Sequence, residues 1–116
     1  MPKCLVQGNY TPEGLRGLTK DKASGRKAAV QAILKGAKGR LESYYFSFGP
    51  DDFVIILEVP DNVTMAAVAV AVGTTGMVDS RITPLLTIEE MDKALALPTN
   101  FRAPAKGVKA PRGRPV

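Results

Sequence analysis

The spacing of apolar residues divides the chain into alternating strand-like and helix-like segments. Cys4-Leu5-Val6-Gln7-Gly8-Asn9-Tyr10 reads as a first strand. Thr11 then offers a side-chain oxygen to cap a helix and Pro12 the ring-fixed φ favoured at a first helical position, so a helix is predicted to start there. Leu15 and Leu18 share one face of this segment, and Ser24-Gly25 is expected to interrupt it. Arg26 to Lys38 is the clearer helix, with Val30, Ile33, Leu34 and Ala37 at spacings of three and four. Lys35 and Lys38 suit the negative end of its dipole, and Gly39 the left-handed residue that closes it.

A second strand, Arg40 to Phe48, carries Tyr44, Tyr45, Phe46 and Phe48. The turn chemistry of Gly49-Pro50-Asp51-Asp52 joins it to Phe53-Val54-Ile55-Ile56-Leu57-Glu58-Val59, so the two form a hairpin. Val63 to Val72 alternates like a strand, but it is rich in Ala and follows the helix-starting residues Asn62 and Thr64. It is read as a helix, apolar all round and therefore largely buried. Gly73-Thr74-Thr75-Gly76 breaks it. In the fourth strand, Met77 to Leu86, Asp79, Arg81 and Thr83 face one way and Val78, Ser80 and Ile82 the other. Thr87 and Glu90 have capping-box spacing, Ile88, Met91 and Leu95 line one face of a last short helix, and Pro98 stops it.

The order β-α-β-β-α-β plus a terminal helix predicts an α+β fold of the ferredoxin-like type, with an antiparallel sheet and helices on one face. The other sheet face is then uncovered in a single chain. Its residues are mixed rather than fully polar, so a second copy is expected to cover it in a sheet-to-sheet dimer or higher homo-oligomer.

Composition narrows the chemistry. The chain of 116 residues is long enough for one domain and carries a net charge of +5. Residues 1–97, the predicted domain, are balanced, and the excess lies in Arg102, Lys106, Lys109, Arg112 and Arg114 of a Pro- and Gly-rich tail, 98–116, expected to be flexible. There is no His and one Cys, which argues against imidazole-based catalysis, disulfides and zinc clusters; no metal or other cofactor is expected. Met1-Pro2-Lys3 leads straight into the first strand, and the apolar centre Met65–Val72 is far short of a membrane span, so a cytoplasmic protein without membrane contact is expected.

Pro2 to Leu18, Gly25-Arg26-Lys27-Ala28-Ala29-Val30, Tyr45-Phe46-Ser47-Phe48-Gly49, Pro60-Asp61-Asn62-Val63-Thr64 and Thr83-Pro84-Leu85-Leu86-Thr87 resemble the GYD family in the same order as the derived elements. The resemblance implies a small cytoplasmic bacterial protein with a ferredoxin-like domain, similar to dimeric α/β barrels, and no established activity. Of the family's Gly-Tyr-Asp signature near the hairpin turn, Gly49 and Asp52 keep the ends, and Asp51 stands where the tyrosine is expected.

Several residue groups invite a chemical role. Asp51 and Asp52 are adjacent, so a strand sends them to opposite faces, and turn chemistry explains them without acid–base work. Cys4 lies in an apolar run with no activating His, which favours packing. Gly73–Gly76 has the composition of an anion cradle but lacks the Lys and following helix of a phosphate loop. The candidate ligand site combines Gln7, Tyr10, Arg26, Tyr45 and Arg81, an Arg fork with phenols suited to a small polar or anionic ligand. The opposing reading places these residues at an interface or on the surface. In the tail, Pro111-Arg112-Gly113-Arg114-Pro115 resembles an AT-hook core, with Lys106 and Lys109 as basic flank. Lys106, Lys109, Arg112, Gly113 and Arg114 are thus candidates for contact with the minor groove of AT-rich DNA.

The functional expectation is a self-associating small-ligand-binding or assembly module rather than an enzyme. Two alternatives stand beside it: a DNA-associated protein acting through the basic tail, and a His-independent enzyme using Tyr and Arg in a barrel pocket.

Overall fold

The computed structural model describes residues 1–104, so the tail residues proposed to contact DNA, Lys106, Lys109, Arg112, Gly113 and Arg114, lie outside the described part. The elements are β1 (Lys3–Tyr10), α1 (Pro12–Gly36), β2 (Arg40–Phe46), β3 (Phe53–Glu58), α2 (Asn62–Gly73), β4 (Val78–Leu85) and α3 (Ile88–Ala96). The strands form one antiparallel sheet in the order β2-β3-β1-β4, an α+β arrangement of the ferredoxin-like type. By contacts, Met1–Leu86 is one compact unit, and among the described residues α3 belongs to a second that starts at Thr87.

Helix starts follow the side chains that satisfy them. The Thr11 hydroxyl accepts the Gly14 N–H at 3.0 Å and donates to the Gly76 carbonyl at 2.9 Å, so it caps α1 and ties it to the loop before β4. Asp61 caps α2, accepting from the Thr64 N–H at 2.8 Å and the Thr64 hydroxyl at 2.7 Å, and these two bonds hold its carboxyl below the usual range. In α3, Thr87 and Glu90 form the capping box that their spacing predicts.

Three local expectations are corrected. The interruption of α1 falls at Lys22 (φ 67°, ψ 168°), ahead of Ser24-Gly25. Gly25 is helical, and a Cβ there would lie 3.1 Å from the Asp21 Cβ, so the glycine lets the chain return past Asp21 after the break. At the end of α1 the left-handed residue is Lys38 (φ 61°) rather than Gly39. The Gly39 N–H donates to the Leu34 carbonyl at 2.7 Å and the Lys38 N–H to Lys35 at 3.1 Å, a Schellman closure. Gly39 is required for a different reason, since a Cβ would sit 2.6 Å from the Glu58 carbonyl oxygen. Finally, α2 is apolar all round but buries only Met65 and Val68, leaving Val63 and Val70 exposed. One stripe of a helix meets the sheet, and the rest does not, whatever its composition.

The core is the helix-facing side of the sheet. Cys4, Phe53, Ile55, Leu57 and Val59 pack there with Leu34 of α1 and Met65 and Val68 of α2. Alternation in β3 sends Phe53, Ile55 and Leu57 inward and Val54, Ile56 and Glu58 to the opposite face. The β2–β3 register shifts between Leu41 and Ser43, a bulge at Glu42. This single extra residue decides which tyrosine of β2 reaches the interior.

Candidate functional site

Between the sheet and the two helices of the first unit lies a cavity of about 90 Å³. Its floor comes from Val6, Tyr10, Tyr44, Phe53, Ile55, Val78, Ser80 and Ile82, and its walls from Arg26, Val30 and Ile33 of α1 and Val68, Ala69 and Val72 of α2. The lining is apolar apart from Ser80, Tyr10, Tyr44 and Arg26. The Tyr10 and Tyr44 hydroxyls meet at 3.2 Å, and the charge of Arg26 acts on Tyr44. Tyr10 packs edge-on against Phe53 at 5.3 Å between centroids, and Tyr44 stacks on Phe46 at 5.1 Å, which fixes both phenols. Burial, reinforced by the hydrogen bond to Tyr10, pushes the Tyr44 phenol well above its ordinary value. Tyr44 therefore keeps its proton at neutral pH, and its phenol is free to donate or accept a hydrogen bond rather than act as a base.

The five residues expected to share a pocket are divided between the sheet's two faces. Tyr10 and Arg26 line the cavity. Gln7 and Arg81 are register partners on the opposite face. They converge on Asp51, whose carboxylate accepts from Arg81 at 3.0 and 3.1 Å and from the Gln7 amide at 3.4 Å. Tyr45 is 68% exposed, and its place in the cavity is taken by Tyr44, because the bulge at Glu42 reverses the alternation of β2. Leu41 and Tyr44 consequently pack on the core side. The sequence signal for Tyr44 is its position in the aromatic run; the inversion that selects it over Tyr45 is not visible in composition.

The hairpin turn serves both faces. Asp52 accepts the Tyr10 N–H at 2.9 Å, and its own N–H donates to the Gly8 carbonyl at 2.7 Å, so the turn holds the end of β1. A family model described as GYD domain matches residues 4–95. The chain belongs to the GYD domain family. In this GYD domain Asp52 is thus the clamp on β1, and Asp51 is the acceptor for Arg81. Comparison with curated proteins and with solved structures gave no match.

The remaining groups have structural partners. Burial raises the Cys4 thiol, which packs in the core. The N–H groups of Thr74, Thr75 and Gly76 donate to Val70, Val72 and Gly73 carbonyls, so they are turned into the end of α2 rather than toward a phosphate. On the open sheet face, Lys3 bonds Glu42 and lies 3.4 Å from Glu58, and Arg40 donates to Glu58 at 2.9 Å. Among the described residues no cluster of His, Cys, Asp and Glu is arranged to hold a metal, and no helix is long and apolar enough to cross a membrane.

Proposed function

We propose that this GYD-domain chain is a binding module that takes a small, largely apolar ligand into the cavity beneath its sheet and self-associates through the opposite face. The observation that carries the ligand reading is the composition of the cavity's lining. A largely apolar chamber includes two hydrogen-bonded phenols and a guanidinium, which supplies burial for a hydrocarbon body and orientation for one polar group. The chamber is somewhat smaller than the ~150 Å³ apolar cavity known to hold benzene, which favours ligands of a few carbon atoms. A protonated Tyr44 and the lack of His favour binding over acid–base turnover.

Self-association is supported by the open face itself. Leu5, Val54 and Ile56 form its half-buried apolar centre, flanked by exposed Tyr45. Lys3, Arg40 and Arg81 balance Glu42, Glu58 and Asp51. A two-fold interface must be complementary to itself, and a face with matched positive and negative groups meets that condition with a second copy.

The ligand reading is tested by thermal shift against a library of small metabolites. Hits that disappear with Arg26→Ala or Tyr44→Phe are expected, and a library with no hit overturns it. For assembly, light scattering during size exclusion is expected to give at least twice the chain mass; a monomer at high micromolar concentration refutes the interface.

A further inference from the structure

Arg26 has two environments to choose from. It lines the main cavity beside Tyr44, and it also lines a second hollow of about 110 Å³ against the first half of α1, formed with Tyr10, Leu18, Asp21 and Met77. In the second hollow its carboxylate partner is Asp21, at 3.5 Å. That is long for a charge-assisted hydrogen bond, which runs about 2.7–2.9 Å. Both side chains retain solvent contact, at 33% and 49% exposure, so the pair is held loosely.

The break at Lys22 makes this pairing possible. Residues five apart on an unbroken helix point about 140° away from each other, and only neighbours three or four apart meet. The left-handed turn at Lys22 restarts the helix between Asp21 and Arg26 and brings the two together at the cavity edge.

We propose that Asp21 is a built-in competitor for the ligand's anionic group, so that the cavity selects a small apolar monocarboxylate that draws Arg26 away from Asp21. This deepens the binding reading above and rests on it. The guanidinium presents a planar fork that matches a carboxylate, and the phenols of Tyr10 and Tyr44 lie beside it to donate to the same oxygens. One cation balances one negative charge; a doubly charged phosphate would leave a charge unpaired against an apolar wall. With no carboxylate in the cavity Arg26 is satisfied by Asp21, and the chamber does not hold an uncompensated cation.

The test uses the full chain with isobutyrate and its neutral counterpart isobutyramide, titrated while the methyl resonances of Val30, Ile33 and Val72 are followed by NMR. Isobutyrate is expected to shift these methyls, to bind roughly 1.5-fold to 5-fold more tightly to Asp21→Asn, the range of a half-exposed ion pair, and about tenfold or more weakly to Arg26→Gln. Isobutyramide, which has no charge to pair, is expected to be indifferent to Asp21→Asn and to lose less affinity than isobutyrate with Arg26→Gln. If both probes shift the methyls and neither variant changes isobutyrate affinity, the competition is refuted and the cavity reading survives. If neither probe moves the methyls, the monocarboxylate proposal is overturned, and the library screen decides the cavity reading separately. Melting temperatures of the two variants confirm that each is folded.

Discussion

Gly14 and Gly17 lie in the same helix and predict opposite outcomes for the same substitution. A Cβ built on Gly17 meets nothing within 4 Å, whereas one on Gly14 would lie 2.0 Å from the Met77 carbonyl oxygen and 3.2 Å from Cδ1 of Tyr10. Gly17→Ala therefore gains the helix preference of alanine, about 0.5–1 kcal/mol. Gly14→Ala has the same preference working for it, but backbone cannot yield as a side-chain tip does. Overpacking of this kind costs about 1–3 kcal/mol. Separating α1 from Met77 also weakens the 3.0 Å bond from the Thr11 N–H to the Met77 carbonyl, worth about 1 kcal/mol. The net expectation is a loss near 2 kcal/mol for Gly14→Ala, or a fall of roughly 8–16 °C in Tm for a domain of this size. Urea and thermal unfolding of the two variants measure it. The displaced Tyr10 ring should also weaken any cavity ligand for Gly14→Ala and not for Gly17→Ala. Equal stabilisation of both variants would refute the close docking of α1 on the loop before β4.

Three further outcomes follow from the geometry. Because burial raises the Tyr44 phenol above its unfolded value of about 10, the folded state holds that proton longer than the unfolded chain, so its contribution is intact below about pH 10 and lost as pH climbs further; Tyr44→Phe should flatten this alkaline decline in melting temperature, and an unchanged decline argues against a buried phenol. Glu58 is shifted the other way, held low first by its hydrogen bond from Arg40 and then by Lys3, so its stabilisation is present above the carboxylate range and lost as pH falls through it; Glu58→Gln should make stability less sensitive between pH 7 and 3, with an identical acid limb counting against the network. Lys22→Gly places glycine where φ is 67° and ψ 168°, a region it alone occupies readily, and should raise unfolding free energy by about 1 kcal/mol in urea titration, whereas a loss would show that the lysine side chain holds the break.

The fold was largely legible because its signals are local. Thr11-Pro12 and Thr87–Glu90 name their own helix starts, and the strict alternation of β3 names its buried face. Val63–Val72 is the harder case, since alternating Val and Ala satisfies either period, and the Asp61 cap settles it as α2. The site was half legible. Gln7 and Tyr10 are three residues apart on one strand, so parity alone assigns them to opposite faces. Tyr44 was hidden because a bulge changes parity without leaving a compositional trace. The Asp21–Arg26 pair was equally hidden, because helical spacing forbids it until the chain breaks at a lysine.

Asp51 and Asp52 are adjacent in the hairpin turn yet answer to different parts of the molecule, the first to Arg81 and Gln7, the second to the backbone of β1. Their evolutionary freedom is accordingly unequal. Position 51 is coupled to the side chains at 81 and 7, so across related chains loss of the aspartate at the first site and of the arginine at the second should be inherited together. Position 52 has no side chain to negotiate with. Its partner is a main-chain N–H, which no substitution at Tyr10 can remove short of proline, and the aspartate should therefore stay fixed while its neighbour drifts.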